Sequence, residues 1–306
     1  MRIVSFLPAA TEIVCALGLE ESLVGISHEC DFPAQVRSKP VVVRSAKDTS
    51  VMTPSEVDRY VSETLRSGQS LYEVDAEKLI ELQPDLIITQ ALCDLCAPSK
   101  PQALKALEGL PKAKILYLTP HTLAEVWENI REVGRATERT VNAEALLKRC
   151  GDRLEKVRMK TAGLQRPKVF CMEWVDPVYN AGHWVAEMVL LAGGRDELAS
   201  REKDSVRIPW EKVVAYAPEV LILSPCGFDL EKASQQGPLL RGYPGWESLP
   251  AVQNQDVYAV DTNAYFARPG PRLVEGVELL GHILHPEEID WLGAAPGFEK
   301  LSPALR

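Results

Sequence analysis

Long apolar runs, clustered positive charge and recognisable enzyme signatures are what this sequence lacks. No stretch approaches the roughly 18 apolar residues that would cross a bilayer, which excludes insertion by a spanning helix. Lys and Arg number 34 against 43 Asp and Glu, with no basic run, and the net charge of −9 argues against nucleic acid or anionic membrane as main partners. An acidic surface suits small molecules or basic proteins instead. There is no P-loop, no HExxH and no GxSxG elbow, and no acid–base pair can be assigned from spacing, so the chain is read as a non-enzyme. The seven cysteines are odd in number and scattered, unlike a disulfide framework, and point to reduced, buried or loop thiols. Met1 to Phe6 enters an apolar strand with no charged n-region, h-region or cleavage site. The expected location is therefore cytoplasmic as written, or periplasmic or otherwise extracytoplasmic if a leader was removed.

What is present is repetition. Glu77 to Thr89 (EKLIELQPDLIIT) and Glu211 to Leu223 (EKVVAYAPEVLIL) share a Glu-Lys pair, an amphipathic turn, a Pro, an acid and an apolar strand. Glu12 to Leu23 matches Glu187 to Leu198, and Leu107 to Leu118 loosely matches Trp246 to Val260, in the same order. At 306 residues there is room for two cores. The expected fold is α/β: two similar lobes, each with a mostly parallel central sheet, joined by a single long α-helix, with a ligand cleft between the lobes. The boundaries are read as 1–120 for the first lobe, 121–165 for a helical connector and 166–306 for the second lobe.

The punctuation supports that organisation. Gly18 ends a helix over about Ala10 to Leu17, and Thr53-Pro54-Ser55-Glu56 is a capping box opening a helix to about Arg66. Asp75 caps the next helix, Pro84 closes it, and Leu86 to Thr89 reads as a strand buried on both faces. Ala143, Leu146, Leu147, Cys150, Leu154 and Val157 form one stripe of the long connector. After Lys168 to Met172 the helix–strand pattern repeats, closing with strand Val257 to Asp261 and a helix over Arg272 to Ile283. The tail from Pro286 onward is expected to pack loosely over the surface.

Segments following the strands are rich in rings, His and Cys. They hold His28-Glu29-Cys30, Gln90 to Cys96, Trp174 to Tyr179, His183-Trp184, Trp210, Cys226-Gly227-Phe228 and Tyr265-Phe266. Solvated loops usually carry small polar residues, so these loops predict a large, flat, partly apolar ligand. Any single ring can equally be core, and Trp184 and Trp210, beside helix starts, can be staples. His28 or His183 is a candidate axial ligand to a metal carried by the ligand, and no metal site of the protein's own is expected. Cys93 and Cys96 have CxxC spacing, but no second pair completes a zinc set. Glu77 and Glu211 occupy equivalent places in the repeat, a plausible docking pair for a two-fold symmetric basic partner; helix N-terminal acidity is the plainer reading.

Six stretches carry a resemblance: VSFLPAATEIVCALGL, VGISHECDFP, LQPDLIITQALCDLC, EWVDPVYNAGHWVAEM, SPCGF and YFARPGPRLVEG. Over nearly its whole length the chain resembles the cobalamin-binding, substrate-binding proteins of ABC importers, whose two lobes share one long backbone helix. The resemblance implies that cobalamin or a related corrinoid is bound as cargo by a monomer with no cofactor of its own, then delivered to an ABC transporter permease. It places Glu29, Tyr72, Tyr179, Trp210, Tyr265 and Phe266 at the ligand and Glu77 and Glu211 at the permease. Two binding alternatives stand beside it, haem or a ferric chelate held by the same fold and an intracellular corrinoid carrier. A thiol- or metal-dependent oxidoreductase using Cys93 and Cys96 is the enzymatic one.

Overall fold

The computed structural model describes residues 1–90, 110–293 and 296–302. The chain divides into two compact units, one comprising Met1–Pro120 and Ala124–Lys148, the other His121–Leu123 and Arg149–Arg306. No helix among the described residues is long and apolar enough to cross a membrane.

The first unit runs β1 (Ile3–Ser5), α1 (Pro8–Ala16), β2 (Leu23–Ser27), β3 (Val41–Ser45), α2 (Pro54–Arg66), β4 (Tyr72–Val74), α3 (Ala76–Leu82), β5 (Leu86–Gln90) and β6 (Lys114–Leu118), then α4 (Leu123–Ala136). Its sheet has the order β4-β3-β2-β1-β5-β6. All neighbours are parallel except β4, which pairs antiparallel with β3 at the edge. Every residue of β5 is buried, as its unbroken apolar run requires of a strand with helices over both faces. The capping box of α2 forms in both directions: Glu56 N–H donates to Thr53 Oγ1 at 3.4 Å, and Thr53 N–H donates to Glu56 Oε2 at 2.8 Å. Gly18 sits at φ 77°, the left-handed turn that lets the chain leave α1.

The unit boundary falls inside α5 (Thr140–Thr161), a 22-residue helix. Its buried stripe holds Ala143, Leu146, Leu147, Cys150 and Val157. The second unit continues through β7 (Val169–Trp174), β8 (Tyr179–Asn180), α6 (Val185–Leu191), α7 (Trp210–Tyr216), β9 (Val220–Leu223), α8 (Leu230–Ser234), α9 (Gly237–Leu240), α10 (Pro250–Gln253), β10 (Val257–Val260), α11 (Thr262–Tyr265), α12 (Leu273–Leu284) and β11 (Phe298–Lys300). The sheet order is β11-β10-β9-β7-β8, with a parallel centre and antiparallel edges.

The tail is not loose. Its β11 adds an antiparallel edge strand to β10, Leu301 N–H reaches Val257 O at 2.8 Å, and Ile289 is buried. Trp291 meets Tyr265 edge-on at 5.4 Å. A three-residue strand, Phe298–Lys300, leaves no periodicity to read, which is why the sequence does not announce it.

One block of the repeat, Glu77 to Thr89 against Glu211 to Leu223, recurs in its hydrogen bonds. Helix α3 ends on Gln83 in the left-handed conformation and α7 ends on Ala217 likewise, φ 44° and 52°, each followed by a Pro that cannot continue the helix. The next residue, an acid, closes the same bracket in both units. Asp85 Oδ2 accepts Arg2 N–H at 2.7 Å while Asp85 N–H donates to Arg2 O at 2.8 Å. Glu219 Oε2 accepts Lys168 N–H at 2.7 Å while Glu219 N–H donates to Lys168 O at 2.8 Å. The bases complete it: Arg2 Nε donates to Leu82 O at 2.7 Å and Lys168 Nζ to Tyr216 O at 3.1 Å. The acid thus ties the start of each central strand, β5 and β9, to the residue just before its neighbour, β1 and β7.

Candidate functional site

In an open parallel sheet, loops at the carboxyl ends of the strands gather the residues that meet a ligand. In the first unit the loop after β2 carries His28 and Glu29. His28 is exposed, but both ring nitrogens are engaged: Nδ1 lies 3.2 Å from Val43 O and Nε2 lies 3.1 Å from Ser45 Oγ. A carbonyl can only accept, so Nδ1 carries the proton and Nε2 accepts from the hydroxyl. Glu29 is half-buried, its N–H directed at Ser27 Oγ. Tyr72 opens β4 opposite Ser45 and is buried in the unit's own core with Val4, Phe6, Val43 and Leu79; its ring lies 6.3 Å from that of His28.

In the second unit the loops after β7 and β9 form a half-exposed face. Trp174 and Tyr179 are cross-strand partners on β7 and β8, and side chains directly opposite on paired strands share a face. Phe228, from the loop after β9, meets Trp174 edge-on at 5.3 Å, and the indole N–H of Trp174 is held by Asp176 O at 3.1 Å. Beside them, Glu173 secures the backbone: Oε2 accepts Gly182 N–H at 3.1 Å and Oε1 accepts the Ser205 hydroxyl at 2.9 Å. Burial raises its pKa above the ordinary carboxylate value. A side chain at Gly182 would collide with the backbone of Asp204 and Ser205, so that close approach requires glycine.

His183 follows at φ 53°, its N–H bonded to Lys203 O at 2.7 Å. Its ring stacks on His121 at 5.9 Å, with Nε2 at 3.1 Å from Asp204 Oδ1. That approach is close but not aligned as a hydrogen bond, and Nε2 is sealed from solvent. Burial, with His121 adding to it, holds the pKa below the usual imidazole value against the opposing pull of Asp204. The ring is neutral at neutral pH.

Several rings expected at the ligand are packed inside the second unit instead. Trp210 lies in a cluster with Phe170, Val213, Leu223 and Trp246, stacks on Tyr243 at 4.6 Å, and gives its indole N–H to Pro244 O at 2.8 Å. Trp184 is buried with its N–H on Phe266 O at 2.8 Å, and Phe266 is 2% exposed. Tyr265 is buried against Trp291. An apolar ring beside a helix start is equally suited to a core and to a pocket wall, and Trp184 and Trp210 are packed into the interior here.

The residue that sequence reasoning passed over is Arg207. It forms an antiparallel bridge with Tyr179, donates from Nε to the Tyr179 hydroxyl at 2.9 Å, and lies with its guanidinium 5.7 Å from the ring centre. Ile208-Pro209-Trp210 was read for its indole, and the signal lay one residue earlier. Glu77 and Glu211 are both exposed in the first turns of α3 and α7. Cys93 and Cys96 lie outside the described residues; Cys15, Cys30, Cys150, Cys171 and Cys226 are unbridged. No group of three metal-ligating side chains occurs among the described residues.

Two α/β units built on one duplicated plan, with ring-bearing loops at the carboxyl ends of their strands, define a two-lobed binding protein. The chain belongs to the periplasmic binding protein family, whose model matches residues 3–264. It is 26% identical over 295 residues to an uncharacterised ABC transporter substrate-binding lipoprotein, YvrC, of Bacillus subtilis, covering 94% of this chain and 80% of that one. It is 29% identical over 283 residues to the vitamin B12-binding protein of Vibrio cholerae, covering 90% and 86%. In fold it is similar to the periplasmic haem-binding protein HutB of Vibrio cholerae, with a TM-score of 0.71 at 19% identity over 94% of this chain and 99% of that one.

Proposed function

We propose that this protein binds cobalamin or a related corrinoid as cargo and delivers it to the permease of an ABC importer, working outside the cytoplasm. In sequence the chain is 29% identical to a vitamin B12-binding protein, against 19% for the haem-binding protein it is similar to in fold. The observation that carries the reading is the state of the two histidines. Both nitrogens of His28 are bonded to Val43 and Ser45, and Nε2 of His183 is sealed beside Asp204, so three of the four nitrogens of these candidate axial ligands are not open to a metal. A corrinoid brings its own axial base, so it needs ring contacts and polar groups more than an imidazole. Trp174, Tyr179 and Phe228 of the second unit supply the ring contacts, with His183 behind its loop.

Titration with cyanocobalamin, followed by calorimetry, tests this. Binding with Kd below about 1 µM is the expected result. Tighter binding of haemin, with a Soret shift that disappears in His28→Ala or His183→Ala, would replace the corrinoid reading by the haem one. Glu77 and Glu211, exposed at matching points of the repeat, are assigned to permease docking. The double exchange to Lys should leave corrinoid affinity unchanged and abolish co-sedimentation with permease-containing vesicles.

A further inference from the structure

Phe228, Trp174, Tyr179 and Arg207 form a continuous row. The first two meet edge-on at 5.3 Å, the middle two are cross-strand partners, and the last two are joined by the antiparallel bridge and by the 2.9 Å hydrogen bond from Nε to the phenol oxygen. Because directly opposed residues of paired strands project to the same side, Trp174, Tyr179 and Arg207 share one face. The row therefore passes from apolar rings to a fixed positive charge. Arg207 is exposed, and the Tyr179 hydroxyl holds its Nε, which orients the guanidinium plane. A partly apolar ligand set against these rings brings an anionic group to that cation. The chemistry selected is a partly apolar ligand that also carries an oxyanion.

Corrinoid side-chain amides are neutral, and the anionic group of a complete corrinoid is the phosphodiester of its nucleotide loop. Resting on the corrinoid reading, we infer that Arg207 is a specificity determinant that recognises this phosphodiester, so that the protein prefers corrinoids bearing the nucleotide loop to those lacking it.

Calorimetric titration of wild type, Arg207→Gln and Arg207→Lys with cyanocobalamin and with dicyanocobinamide, which lacks the loop and its phosphodiester, tests the assignment. Wild type should bind cyanocobalamin roughly 10- to 100-fold more tightly, the usual worth of a charge-assisted hydrogen bond. Arg207→Gln should erase that preference by weakening cyanocobalamin alone, and Arg207→Lys should restore part of it, having the charge without the planar fork. Unchanged cyanocobalamin affinity in Arg207→Gln, or equal weakening toward both corrinoids, overturns the assignment while leaving corrinoid binding intact. Wild type that binds haemin and neither corrinoid removes the corrinoid reading itself, and the phosphodiester with it.

Discussion

Trp174 and Trp210 carry the same side chain to opposite ends of one problem. Trp174 is half-buried at a strand's carboxyl end, and Trp210 is 6% exposed within a close-packed cluster. Trp174→Ala should weaken corrinoid binding by about 1–3 kcal/mol, read by titration, as for a central aromatic contact. Trp210→Ala should instead cost about 3–5 kcal/mol of stability, read by chemical denaturation, with the affinity of the folded fraction preserved. A pH effect belongs to this scale too. Asp196 is buried beside β7, with Oδ2 accepting Cys171 N–H at 2.9 Å and Oδ1 accepting from Leu198 and Ala199 N–H at 3.0 and 3.1 Å. Burial outweighs those donors and lifts its pKa from 3.8 to about 7. Between those values the folded protein holds a proton that the unfolded chain releases. This carboxyl's contribution is therefore complete below about pH 4 and is lost as pH rises through 7, a change on the order of 4 kcal/mol. Denaturation midpoints measured across that range should fall with pH in wild type and run flatter in Asp196→Asn.

Among the elements, helix α5 invites a test because the boundary between units falls within it. Gly151 sits in its middle, exposed, and a Cβ added there would meet nothing within 4 Å. Gly151→Ala should therefore stabilise the protein by about 0.5–1 kcal/mol, seen as a raised denaturation midpoint. Elements with a local signal of their own were legible in the sequence: α2 through its Thr53–Glu56 box, α3 through Asp75, and β5 through its apolar run. The short edge strands β4, β8 and β11 were not. Two or three residues carry no period, and their existence depends on a neighbouring strand that the local sequence does not encode. The candidate site divides in the same way. Loops rich in rings could be located, but whether a given ring faces a ligand or a core depends on which strand pairs with which. Arg207 became visible only through its bridge to Tyr179.

At the level of the whole molecule, a ligand that binds only the folded state stabilises it by mass action. Cyanocobalamin at 100 times its Kd should add about 2.7 kcal/mol and raise the melting temperature accordingly, whereas no shift at that concentration would count against the corrinoid reading. The duplicated plan and the parallel character of both sheets follow from local signals that recur in order: a short helix, a Pro that stops it, an acid, and an apolar strand. The binding-protein class comes from the resemblance carried by the six stretches. Tertiary structure alone decided that Trp210, Trp184 and Phe266 are interior, that the tail adds an edge strand, that the His28 ring is already engaged, and that Nε2 of His183 is sealed from solvent. Those outcomes depend on partners far away in the chain, such as Val43 for His28 and Pro244 for Trp210. Burial and hydrogen-bond satisfaction are properties of such pairs, and neither partner reveals them by itself.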